Sequence, residues 1–304
     1  MTLCDSHCHF FSANFFRTLG RDAGVTDDAA VSLPARLSWD APATDEALAD
    51  RWVAELDARS VSRAMLIASV PGDEASVASA VARHRDRFVG AFMFNPAAPH
   101  PPAGPAPSVT ARLERSFVEL GLRTVCLFPA MHHYRLDDER VEAVFAAAEA
   151  HGCAVFVHCG VLSVGVRKKL GLPSRFDLRL GDPLAVAAVA VRHPSVPVII
   201  PHFGAGFFRE ALMAADQAAN IVLDSSSSNG WIKLHHGLTL RDAFARAVDC
   251  VGPTRILFGT DSSFFPRGWQ KAILETQRGI CGELGLDVAA QDAIFGGNFN
   301  RIFG

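Results

Sequence analysis

The stretch CDSHCHFF over residues 4–11 sets His7 and His9 two positions apart, Asp5 two before His7, and cysteines at Cys4 and Cys8. Imidazole nitrogens and carboxylate oxygens are donors for divalent transition metals, and cysteine thiolates would add a softer one. On an extended strand side chains alternate between faces, so the pattern predicts Asp5, His7 and His9 on one face and Cys4, Ser6 and Cys8 on the other. That parity argues against a mixed Cys/His site. Alone, the motif fits a metal site no better than it fits two hydrogen-bonded histidines on an ordinary strand.

Three further residues stand in related positions. His158 closes the apolar run VFVHCG, His202 closes IIPHFG, and Asp261 closes LFGTDSS, each just ahead of a Gly- or Ser-containing loop. Imidazoles plus one carboxylate, with a position left for water, form the ligand set of a catalytic metal site. Such a metal lowers the pKa of its water towards ~7 and polarises a carbonyl, while a neighbouring His or Asp moves protons. Both hydrolysis of a C–O or C–N bond and nonoxidative loss of CO2 can be built from these parts, and the motif does not separate them.

The elements that would position these residues follow from the hydrophobic pattern. Eight short apolar runs, at 3–10, 63–69, 87–95, 123–128, 153–159, 196–202, 220–226 and 255–261, alternate with stretches of helical spacing. The helical candidates cover about 44–60, 73–86, 108–120, 137–151, 182–192, 204–219, 239–251 and 267–285. This alternation signals βαβ units around a parallel sheet, and eight of them match a (β/α)8 TIM barrel, whose reactive residues gather at the C-terminal strand ends. An open doubly wound sheet is the rival, but no G-x-G-x-x-G follows the first strand. The Pro-rich stretch 95–107 reads as an extended surface loop within one domain, 1–304. The chain's 304 residues, 49% hydrophobic and 20% charged, suffice for such a core.

At His7-x-His9 on strand one, His158 and His202 on strands five and six, Asp261 on strand eight and the closing GGNFNRIFG (296–304), the sequence resembles the amidohydrolase superfamily. Within it, the likeness is to the amidohydrolase-related group that includes aminocarboxymuconate-semialdehyde decarboxylase. The resemblance implies a distorted α/β TIM barrel with one divalent metal held by His7, His9, His158 and Asp261, and His202 assisting as acid or base. From the chemistry of such a site, Asp261 is expected to serve both as ligand and as proton acceptor. Zinc is the default metal, with manganese or iron as alternatives. Binuclear relatives bridge two metals with a carbamylated lysine on strand four, but the only lysines here, Lys168, Lys169, Lys233 and Lys271, all follow His158. A mononuclear hydrolase acting on a small, carboxylated organic substrate through a metal-activated water is the expectation, a decarboxylase of the same fold the alternative, and a non-catalytic metal-binding barrel a third reading.

Substrate contacts are sought in the loops. The basic segment 166–182 offers Arg175 for a substrate carboxylate, FPAMHHYR (128–135) offers His132 and Tyr134, and SSFFPRGW (262–269) offers Phe264 and Arg267. A solvated loop face and an aromatic cap on the core are the competing readings. The formal net charge of −3 gives no field favouring nucleic acid or an anionic membrane, so the expected partner is a small molecule, with room for a homo-oligomer. Seven scattered cysteines and the lack of a signal-peptide pattern suggest a cytoplasmic protein with reduced thiols.

Overall fold

The computed structural model describes residues 2–98, 107–227 and 229–304. His100 and most of the Pro-rich loop expected at 95–107 lie outside the described residues. Eight strands form: β1 (Cys4–Phe10), β2 (Arg63–Ala68), β3 (Phe88–Phe94), β4 (Thr124–Leu127), β5 (Ala154–Val157), β6 (Val198–Ile200), β7 (Ile221–Asp224) and β8 (Ile256–Leu257). They pair in parallel in sequence order. The return from β8 to β1 is made by single hydrogen bonds, Ser6 N to Phe258 O at 2.9 Å, Asp261 N to His7 O at 2.9 Å and His9 N to Ser262 O at 2.7 Å. The result is a nearly closed (β/α)8 barrel.

Parallel strands buried on both faces need apolar residues on both, which is why the runs read as continuous. One face fills the barrel with Met65, Ile67, Ala91, Cys126, Phe156 and Ile199 among others. The other packs against the helical ring, which is anchored by side chains such as Trp52 and Leu56 of the helix Asp45–Asp57. Thr44 caps that helix by accepting from Ala47 N, and each large apolar side chain it buries contributes roughly 1.5–3 kcal/mol. Among the described residues, no helix is long and apolar enough to cross a membrane.

The structure differs from the sequence expectation in three places that shape the site. First, two helices, Ala13–Asp22 and Ala29–Leu37, intervene between β1 and the first barrel helix, capped by Ser12 and Asp28. Their apolar faces join Trp39, Val166 and Phe264 in a satellite cluster outside the barrel. Second, a short helix, Gly165–Lys169, forms inside the basic segment after β5. Third, the register of β1 shifts between Asp5 and Cys8, which breaks the simple alternation. Cys4 therefore joins the barrel interior, and Asp5 leaves the face of the histidines for the seam with β8. There its fully buried carboxylate accepts from Thr260 N (3.1 Å), Trp269 Nε1 (2.6 Å) and His7 N (2.9 Å). Cys8 and Cys159 do turn away from the interior, as expected.

Candidate active site

The C-terminal ends of β1, β5, β6 and β8 open on one cavity of about 720 Å³, lined by His7, His9, His158, His202 and Asp261. The ligand atoms of His7, His9 and Asp261 lie within 4.8 Å of one another, a grouping of its kind found only there among the described residues. His9 Nε2 is 3.1 Å and His7 Nε2 3.8 Å from Asp261 Oδ1. His158 lines the same cavity outside this tight group, and its ring centroid is 5.4 Å from that of His202.

The tautomers follow from the partners of the other ring nitrogens. Ser69 Oγ donates its proton to Ile67 O at 2.9 Å, so at 2.8 Å it accepts from His9 Nδ1–H. Asp224 Oδ2, an acceptor, lies 2.9 Å from His7 Nδ1. Both Nδ1 atoms thus carry the proton, and both Nε2 atoms present lone pairs towards Asp261. Two nitrogen lone pairs and a carboxylate oxygen repel unless a cation lies among them. This donor set fits a divalent metal.

His202 sits in the left-handed region at φ 55°, followed by Phe203 at φ 51°, and Asp261 is also left-handed at φ 57°. Such strain in non-glycine residues persists where surrounding packing holds it. His202 Nδ1 faces Ser226 O at 3.2 Å and Ser226 Oγ at 2.9 Å. A carbonyl only accepts, so the pairing assigns the proton to Nδ1 and leaves Nε2 as an acceptor. The His7 and His202 ring centroids are 4.9 Å apart.

Close approach of β8 to β1 and β7 depends on Gly259. A Cβ there would stand 2.9 Å from the Cβ atoms of His7 and Ser226 and 3.0 Å from Asp224 Oδ1.

Burial and crowding set the charges. Burial lowers the His158 and His202 pKa values, and the positive potential of neighbouring imidazoles lowers them further. Burial would raise Asp261, but the adjacent His9 and the other nearby histidines hold its carboxyl below the usual range. Burial would likewise lower His7, yet Asp224 reverses the sign.

The loop expectations divide. Phe264 and Arg267 line the cavity. Arg175 does not: it is exposed, and its carbonyl accepts from His133 Nε2, which pins that stretch to the chain after β4. Tyr134 is buried in the outer core and His132 lies off the cavity, because the short helix Pro129–His132 brings only Phe128 and Met131 of that loop to the wall. Sequence reasoning missed Ser69, Asp224 and Ser226, the groups that orient the histidines. Ser69 and Asp224 stand at the ends of β2 and β7, where the same strand-end rule finds them. It also missed Trp39 and Lys233 on the wall, and from the basic segment 166–182 it chose Arg175 where Lys169 lines the cavity.

The family model described as Amidohydrolase matches residues 4–304. None of the curated proteins matches the chain. Among solved structures, the 5-carboxyvanillate decarboxylase from Novosphingobium aromaticivorans, complexed with manganese and 4-hydroxy-3-methoxy-5-nitrobenzoic acid, is similar at 14% identity and a TM-score of 0.63, covering 99% of this chain and 96% of that one. A probable 2-pyrone-4,6-dicarboxylic acid hydrolase from Acinetobacter baumannii with citric acid bound is 14% identical with a TM-score of 0.59, over 100% of both chains. An amidohydrolase from Burkholderia multivorans with bound zinc is 16% identical with a TM-score of 0.56, over 100% of this chain and 99% of that one.

Proposed function

Because the chain belongs to the amidohydrolase family, we propose that the cavity is the active site of a mononuclear metal-dependent hydrolase acting on a small organic substrate. One observation carries the reading: the His7 and His9 Nε2 lone pairs and the Asp261 carboxylate converge with their outer partners already committed. In this reading these three residues hold one divalent ion, His158 completes the set, and zinc is the first choice with manganese or iron as alternatives. The ion would supply Lewis acidity and a lowered pKa for water at the open position.

The chain's own groups divide the remaining work. Asp224 and Ser69 hold the two β1 rings in the tautomer that points Nε2 inward. His202, with Nδ1–H given to Ser226, offers Nε2 to take a proton from the attacking water and return it to the leaving group. Asp261, kept ionised by its histidine neighbours, serves as ligand and as a second proton acceptor.

Loss of CO2 is the second reading, since a decarboxylase stands among the structural neighbours. A proton acceptor at His202 Nε2 favours hydrolysis, because decarboxylation needs a proton presented to carbon. Metal analysis of the purified protein, then a panel of lactones, amides and aromatic carboxylates scored for acid and CO2, tests this. About one metal per chain with acid release and no CO2 is expected. CO2 without net addition of water would replace the hydrolase by the decarboxylase, and a metal-free active protein would overturn both.

A further inference from the structure

The strand ladder that closes the barrel runs out where the metal corner needs it. β8 ends at Leu257, and its pairing with β7 stops at Asp224 and Leu257, well short of Asp261. Among the described residues, the backbone seam with β1 consists of three hydrogen bonds, one of them within the isolated bridge between Cys8 and Ser262. Yet Asp261 is held in the left-handed region at φ 57°, 3.1 Å from His9 of β1. A conformation of that kind persists only where its surroundings over-determine it, and here a sheet does not.

Asp5, a carboxylate that the proposed chemistry leaves unused, stands at this seam with no exposed surface. Its Oδ1 accepts from His7 N at 2.9 Å on its own strand and from Thr260 N at 3.1 Å across the seam. Its Oδ2 accepts twice from across the seam, from Thr260 Oγ1 at 2.5 Å and Trp269 Nε1 at 2.6 Å. Since the Thr260 hydroxyl gives its single proton to Asp5, at 2.7 Å it accepts from Ser262 Oγ–H, and Ser262 Oγ in turn accepts from Gln270 N at 3.0 Å. This chain of donors therefore runs one way, towards Asp5. Gln270 Nε2 holds the same stretch from its other side, 3.0 Å from Thr260 O and 3.4 Å from Asp261 O. Residues 260–262 are thus fixed by side chains, and the bonds that cross to β1 meet at one carboxylate.

We propose that Asp5 is the latch of the barrel seam: its carboxylate stands in for the missing ladder and sets the spacing between the β1 ligands, His7 and His9, and Asp261. The proposal rests on the reading of the corner as a metal site. Asp5 lines no part of the cavity and is a positioning residue. Four donors need both of its oxygens, and asparagine supplies one. If the amide oxygen stays with His7 N and Thr260 N, its NH2 group faces the indole Nε1, which only donates; if it flips, both backbone N–H groups face that NH2 group. Neither orientation keeps the two sides of the seam at their present distance.

Three measurements on the purified protein test the latch without turnover: cobalt(II) titration against a chelator, the visible bands of the cobalt form, and hydrogen exchange of the metal-free protein read by mass spectrometry. Asp5→Asn is expected to weaken cobalt binding by about 10-fold or more, to shift the bands at saturating cobalt, and to speed exchange in peptides covering 5–10 and 258–262 while β3 and β4 keep their protection. Thr260→Val, which removes one donor at nearly constant volume, should act in the same direction to a smaller extent, and Thr260→Ser, which keeps the hydroxyl, should recover most of that loss. Val144→Ala, fully buried in the helix Glu139–Ala150 between β4 and β5 and so across the barrel from the seam, controls for lost stability: it should lower the melting temperature and leave cobalt affinity and bands unchanged. Wild-type affinity, bands and seam exchange in Asp5→Asn and Thr260→Val would overturn the proposal, and so would an equal shift in Val144→Ala. Should Asp5→Asn fail to fold, the contrast between Thr260→Val and Thr260→Ser decides. A wild-type protein that binds no cobalt overturns the metal reading instead, and the latch then stands or falls on exchange at the seam.

Discussion

Replacing Asp224 by asparagine changes one oxygen to an amide nitrogen at a fully buried position and tests how the metal corner is set. Asp224 uses both oxygens: Oδ1 accepts from Ser226 N at 2.6 Å, and Oδ2 accepts from His7 Nδ1 at 2.9 Å. Asparagine keeps only one acceptor. If its oxygen stays on Ser226, its NH2 group meets His7 Nδ1, and the imidazole must move its proton to Nε2. A protonated Nε2 cannot ligate. If the amide flips, His7 keeps its tautomer but a buried backbone N–H faces an NH2 group, which costs about 1–3 kcal/mol. Either outcome falls on metal binding, and loss of such an outer partner typically weakens affinity about 10–100-fold, or ~1.4–2.7 kcal/mol. Competition against a chromophoric chelator measures it directly, with His7→Ala as the limit of complete ligand loss. Asp224→Asn with wild-type metal affinity, beside a His7→Ala variant that has lost it, would refute the tautomer argument.

His202→Asn should keep most of the metal and lose turnover by about 10²–10⁴-fold in steady-state kinetics, whereas loss of metal with activity would make His202 a ligand. Gly259→Ala should cost roughly 1–3 kcal/mol in denaturant melts and reduce metal occupancy, since its Cβ meets His7, Ser226 and Asp224 at 3.0 Å or less; a neutral result would show that β8 can retreat. His132, whose buried Nδ1 has no partner among the described residues, has its pKa lowered by burial and by His133 to about 4. Its folded value is below the unfolded one, so its contribution is present above about 6.5 and is lost as pH falls towards 4, with up to about one proton taken up on unfolding. His132→Gln should flatten the dependence of stability on pH in that window, and an unchanged slope would assign the proton elsewhere.

The barrel was legible because each strand is a continuous apolar run, and all eight runs of the sequence became strands, although β8 shortened to Ile256–Leu257. The helices at 13–22 and 29–37 were hidden by a different composition: Gly20 interrupts the first and Pro34 lies inside the second. Their apolar faces pack on loop residues distant in sequence, which periodicity alone cannot reveal. The strand-end histidines and Asp261 were legible for the same reason as the strands. Asp5 was not, because the register shift in β1 reverses a parity that any period-two argument assumes. In the basic segment after β5 the cavity is lined by a basic residue other than the one expected. Lys169 ends a helix that faces the wall, while Arg175 lies beyond the turn at Gly171, which has φ 69°.

Ser226 links two parts of the site. Its hydroxyl lies 3.0 Å from His7 Nδ1 and 2.9 Å from His202 Nδ1, and it has a single hydrogen to give. A ring that changes tautomer or charge alters what that hydroxyl can offer to the other ring. The ligand histidine and the proton-accepting histidine therefore share one hydroxyl partner. Removing either ring frees that hydroxyl for the other, so substitutions at the two ends of the His7–Ser226–His202 trio are expected not to combine additively in turnover.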